Sequence, residues 1–159
     1  MNSVKNCCLG GPIVMFQPEI GYFISPQLSL GVAMRLGIPV GANVEGHATA
    51  APGVLARIRL SLADNGDGIR VMGQIGGGIL RNTIKLDNSM PGMDTDVVAQ
   101  GPVLLGGGVG FARHLSGSVS FVADVAMVGG LAVFDMPGLS PKLNSGFAFD
   151  LSLGIQLGL

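Results

Sequence analysis

The chain has no tryptophan, a single tyrosine and only 12% charged residues. With 48% apolar residues, so little charge excludes a disordered polypeptide, whose composition is the reverse. Nine lysines and arginines face ten acids for a net charge of −1, and they are scattered. That excludes the basic footprint of a nucleic-acid-binding domain, so no nucleic-acid partner is expected. No run of about 18 or more apolar residues escapes interruption by glycine or a polar side chain, so no membrane-spanning helix is expected. Cysteine is almost absent. Cys7 and Cys8 are adjacent, where a mutual disulfide is strained, and His47 and His114 lie far apart in sequence, so no metal site is expected. Met1 to Asn6 offers one lysine and no small-residue cleavage site, so it does not read as a secretory signal. Glycine is what the chain has in excess, at 27 of 159 residues, in a length that fits one domain.

What those residues spell is alternation. From Gln27 to Ile38, Leu28, Leu30, Val32, Met34, Leu36 and Ile38 are apolar, and every intervening residue is small or polar. A period of two is the mark of a strand, not of a helix. The pattern recurs over Gly53–Ala63, Ile69–Arg81, Gly101–Ala112, Ser118–Leu131 and Ser145–Leu159. A weaker strand is predicted over Ile13–Phe23, interrupted by Pro18 and therefore an edge or a bulge. These seven strands are of membrane-crossing length, roughly 9–11 residues or more, whereas soluble strands usually run about 5–6.

Connections alternate as well. Ser25-Pro26, Asp64 to Gly68 and Arg113 to Gly117 are short, and Val40–Pro52, Asn82–Gln100 and Ala132–Asn144 are long. The fold class expected is all-β, an antiparallel up-and-down meander closed into a barrel. One face of each strand is apolar and uncharged. The other is glycine, alanine, serine and most of the strand charges: Arg35, Arg57, Arg59, Asp124 and Asp150. Periodicity does not say which face points inward. The small residues suit a crowded lumen better than a solvated surface, and the five charges are predicted to form a structural salt-bridge network inside it.

The stretches Gly21 to Gly31, Ile75-Gly76-Gly77-Gly78-Ile79 and Gly106 to Phe111 resemble the small bacterial outer-membrane β-barrel superfamily, the OmpA-type eight-stranded transmembrane domain among them. Leu151, Leu153, Ile155, Leu157 and Leu159 resemble its C-terminal insertion signal, although the family usually ends in an aromatic residue. The resemblance implies eight strands in the full protein, a bacterial outer-membrane location, and outer-membrane lipids and the insertion machinery as partners. It also implies that a signal and one strand precede Met1. Met1–Gly10 then reads as a remnant of the first extracellular loop, and 11–159 as a single barrel domain.

Little chemistry is spelled out. His114-Leu115-Ser116 is similar to the His-x-Ser element of lipid A deacylase barrels, but no acid follows at a matching place. Asp64-Asn65-Gly66-Asp67-Gly68 begins like a calcium loop and lacks its closing acid; a hairpin turn explains it better. Asp87, Asp94 and Asp96 read as solvated loop charge. Neither glycine triplet carries the Lys-Ser/Thr of a phosphate loop. No catalytic residue, cofactor or metal is expected. The role expected is structural, adhesive or surface-interacting, with a side-chain-filled lumen, no open channel and a loop partner of unknown kind. The alternatives are a soluble lipocalin-like barrel holding an apolar ligand and an outer-leaflet lipid hydrolase.

Overall fold

A computed structural model of the chain describes residues 13–39, 51–85, 95–134 and 143–157. Strand is the only regular secondary structure among them. β1 (Ile13–Phe16) and β2 (Glu19–Phe23) are two halves of one interrupted strand, since both pair antiparallel with β3 (Leu28–Pro39). Gln17 and Pro18 separate them. Proline has no N–H to donate to a ladder, but its carbonyl still accepts from the Met34 N–H at 2.9 Å. The sheet continues through β4 (Ala51–Ser61), β5 (Gly68–Gly78), β8 (Val103–Ser116), β9 (Val119–Leu131) and β11 (Gly146–Leu157), each antiparallel to the last. The result is a nearly closed, seven-strand barrel-like sheet.

β6 (Leu80–Lys85), β7 (Thr95–Gln100) and the two-residue β10 (Leu143–Asn144) form a separate three-stranded sheet. This corrects two expectations. The strand predicted to run to Arg81 stops at Gly78, and the span 82–100 is not one loop but carries much of a hairpin. The break has a local cause. Gly78 (φ +150°) and Gly101 (φ +134°) adopt backbone conformations that side chains with a Cβ rarely reach, one on each side of the hairpin. The Gly78 N–H donates to the Pro102 carbonyl and the Ile79 N–H to the Pro52 carbonyl, each at 2.9 Å. The chain therefore swerves at the rim and turns Leu80 into the barrel mouth, where it is buried with Leu55, Leu104 and Val128. At the opposite rim β8 runs on to Ser116 through an irregularity between His114 and Ser116, so the predicted turn over 113–117 shrinks to two residues.

The alternation read from the sequence becomes an inside and an outside. On β4, Leu55, Arg57 and Ser61 are buried, while Val54, Ile58 and Leu60 are exposed. On β11, Asp150 is buried, and Phe147, Phe149, Leu151, Leu153, Ile155 and Leu157 are exposed. Among the described residues, thirty-two large apolar side chains are exposed and six are buried. The barrel is thus inverted relative to a water-soluble one: apolar outside, polar and small inside. Met1–Gly10, Asp87, Asp94, Leu159 and residues 40–50 of the connection expected over Val40–Pro52 lie outside the described residues, and Ala51 and Pro52 of that connection already belong to β4.

The kink makes a prediction. A Cβ on Gly78 would run into the Pro52 carbonyl and the Gly53 Cα, whereas one on Gly77 meets only the Pro102 carbonyl at an ordinary 3.6 Å. Gly78→Val is expected to lower the unfolding free energy by about 2–4 kcal/mol, and Gly77→Ala by under about 1 kcal/mol. Equal denaturation midpoints for the two would show that the swerve is not held by glycine.

Candidate functional site

The only concentrated chemistry among the described residues is the charged lumen. It is built by register. β5, β8 and β9 lie side by side, and Arg70, Gly110 and Asp124 share one level across them. The middle position has no side chain, so the other two meet over it. Arg70 Nε and Nη2 donate to the two Asp124 carboxylate oxygens at 2.9 and 2.8 Å, a bidentate pair. Both side chains are under a tenth exposed. A Cβ on Gly110 would occupy the place of Asp124 Oδ1. Arg70 Nη1 also reaches Gln156 on β11, at 3.3 Å.

A second assembly repeats the device. Glu19 on β2 passes over Gly31 on β3 toward Arg57 on β4. Arg57 is satisfied in three directions: Nη1 by Glu19 at 3.0 Å, Nη2 by Gln17 at 2.7 Å and Nε by Gln74 at 2.9 Å. Arg59 also donates to Glu19 through both Nη atoms, and its Nη2 lies 3.9 Å from Asp124, which joins the two assemblies. A third pair crosses the barrel interior. Arg35 Nε and Nη2 donate to Asp150 at 3.2 and 3.1 Å, linking β3 to the last strand. Arg35 is 2% exposed, the most deeply buried charge among the described residues.

The five predicted lumen residues all point inward, and the structure brings Arg35 to Asp150 and Arg59 to the edge of Asp124. Two principal members were absent from the prediction. Arg70, not Arg57 or Arg59, is the close partner of Asp124, and Glu19 is the close partner of Arg57 and Arg59. Both carried a signal: Arg70 has the inward phase of β5, and Glu19 has the phase opposite to Ile20 and Tyr22. Four buried nitrogens have no partner among the described residues: Arg35 Nη1, Arg59 Nε, Gln74 Nε2 and Arg81 Nε. The cationic side is therefore slightly under-satisfied.

The remaining sequence candidates are placed as follows. Leu151, Leu153, Ile155 and Leu157 form an exposed outer row on β11. His114 and Ser116 are exposed at the short-turn rim. The carboxylate that approaches them, Asp67, accepts from the His114 backbone N–H at 2.9 Å. Asn65 accepts from the Asp67 N–H at 3.1 Å, the contact of a tight turn, and Asp64 accepts from Gln27 Nε2 of the neighbouring connection at 2.7 Å. Asp96 is on β7. No family model matches the chain, and no curated protein or solved structure matches it either.

Asp124 anchors the lumen, so Asp124→Asn is expected to cost about 3–5 kcal/mol by leaving Arg70 without its charge partner. Gly110→Val removes no charge yet is expected to cost a similar amount by keeping the pair apart. The double variant Arg70→Met/Asp124→Leu is expected to recover most of the loss, since an apolar pair leaves no charge unpartnered. Equilibrium unfolding of the four proteins checks this. A loss in the double variant as large as that of Asp124→Asn would show that the two side chains do not act as a pair.

Proposed function

We propose that the chain is a bacterial outer-membrane barrel whose lumen is a filled structural plug and whose longer connections carry a structural, adhesive or surface-interaction role. The observation that carries this reading is the inverted distribution of side chains. Fully burying one Val, Leu, Ile or Phe is worth about 1.5–3 kcal/mol. Twenty-nine exposed residues of these four types leave tens of kcal/mol unrealised in water, against a net stability of about 5–15 kcal/mol for a typical domain. A hydrocarbon surround removes that conflict. It also agrees with strands of 11 to 14 residues in β3, β4, β5, β8, β9 and β11.

The interior supports a plug and not a pore. Opposed charges meet across the lumen at mid-barrel, and Leu55, Leu80, Leu104 and Val128 fill the end next to the longer connections. Outer-membrane lipids are the proposed surround and the insertion machinery the proposed route. A lipocalin-like carrier would turn its apolar face inward to hold a ligand. Here that face is outward, which favours the membrane reading over the carrier. Ser116 and His114 sit at an exposed rim, so Ser116→Ala is expected to change no lipid-hydrolysing activity.

Two measurements test the reading. β-structure by far-UV circular dichroism is expected only in detergent micelles, with gel mobility that shifts on boiling; stable β-structure in plain buffer would overturn it. Val109→Arg, at an outward position on β8, is expected to lower stability in lipid vesicles by about 2–4 kcal/mol. A water-facing arginine there would be nearly neutral.

A further inference from the structure

The barrel-like sheet has two edges, and they run the same way. Counting β1–β2 as one strand, the sheet has seven positions, each antiparallel to its neighbour. β1–β2, β4, β8 and β11 therefore run in one direction, and β3, β5 and β9 in the other. Closing β11 onto β1–β2 would require a parallel ladder, and none joins them among the described residues. A cleft of about 630 Å³ separates the two edges instead, lined by Tyr22 and Phe23 on one side and Leu153 and Ile155 on the other.

Among the described residues, each edge has a partner strand on one side and none on the other. In an antiparallel pair every second residue turns its N–H and C=O away from the partner. Among the described residues β11 pairs with β9 alone, and β2 with β3 alone. Glu19 shows the effect: its side chain is 20% exposed, yet the residue as a whole is exposed, which places the exposure on the backbone at the open edge. The cleft also has a charge preference. It is lined by Arg57, Arg59 and Arg70 against two carboxylates, Glu19 and Asp124, leaving one guanidinium in excess. Arg59 lines the cleft, and its Nε is buried with no partner among the described residues.

We infer that the seam between β1–β2 and β11 is a strand-acceptor site for an extended polypeptide segment that runs antiparallel to both edges and brings one carboxylate inward. The segment matches the 12 residues of β11 in length. Its outward side chains are apolar, continuing the row of Leu151, Leu153 and Ile155. Its inward side chains are small, to clear Gln156, apart from the one acid that meets Arg59. Backbone bonds supply affinity and the inward acid supplies selectivity. Strand direction, the open backbone edges and charge define this site whether the barrel is surrounded by lipid or by water. Its failure is thereby separable from failure of the membrane reading.

The test uses the full chain, folded in whichever of micelles or buffer supports it, and a synthetic peptide with the sequence of β9, Val119–Leu131. That sequence already pairs antiparallel with β11 and carries Asp124 in the inward phase. Amide hydrogen exchange is followed strand by strand. Excess peptide is expected to slow exchange in both β11 and β2 by about tenfold or more. A peptide with asparagine in place of Asp124 is expected to bind about tenfold more weakly, and Arg59→Gln in the protein is expected to erase that difference. Four results would overturn the inference: no change in either strand, protection of β11 alone with release of β9, protection of both strands before peptide is added, or equal binding of the two peptides.

Discussion

Two carboxylates reach their arginines by passing over glycines, and the interior depends on that geometry. Neighbouring strands hold their side chains too close for a third large group between them. Arg70 and Asp124 meet because Gly110 separates them, and Glu19 meets Arg57 because Gly31 does the same. Each glycine converts a crowded interstrand position into a space that a salt bridge fills. Remove the space and the charges are stranded in an interior that cannot hydrate them, which costs several kcal/mol per unpaired ion. The high glycine content is thus not spread as flexibility along the strands. Much of it lies on the inward face, opposite long side chains.

The outer wall follows from the same arrangement. With polar groups committed to the lumen, the apolar residues of each strand have nowhere to go but outward, since successive side chains alternate. A mixed wall would need strands that break phase, and the chain does so mainly at Pro18 and at the swerve after Gly78. Both breaks lie at the sheet's margins, one in the edge strand and one at the rim. The lumen chemistry is therefore undisturbed over the body of the barrel, and Leu80 is brought in to cover its mouth.

Much of this was legible in the residues. The strand faces come from a strict period of two, a signal each strand carries alone, the meander from the alternating connection lengths, and the edge character of Ile13–Phe23 from Pro18. Arg70 and Glu19 were less legible for two reasons. Arg70 is the third residue of β5, next to a turn, where a charge reads as rim decoration. Glu19 follows Pro18, where phase is easily lost. Which arginine meets which acid was not legible at all, because interstrand register and the glycine between them decide it. The β6–β7 hairpin was hidden for another reason. Its strands follow Gly78 and precede Gly101, so the swerve is encoded in backbone conformation, while the hydrophobic pattern runs smoothly on to Arg81.

The pair between Arg35 and Asp150 carries a consequence for how the molecule assembles. Each ladder of the barrel joins strands that are adjacent in the chain or linked through a single hairpin insertion, so the wall can be laid down piece by piece with short loop closures. This pair is different: its members are 115 residues apart. It belongs to the last strand and to a strand near the beginning, and it can form only when nearly the whole wall has curled. The entropic cost of bringing distant chain segments together is therefore concentrated in one late event. An assembling chain would first resemble a curved ribbon with Asp150 on one margin and Arg35 one strand in from the other, and the attraction between them would set the direction in which it rolls up.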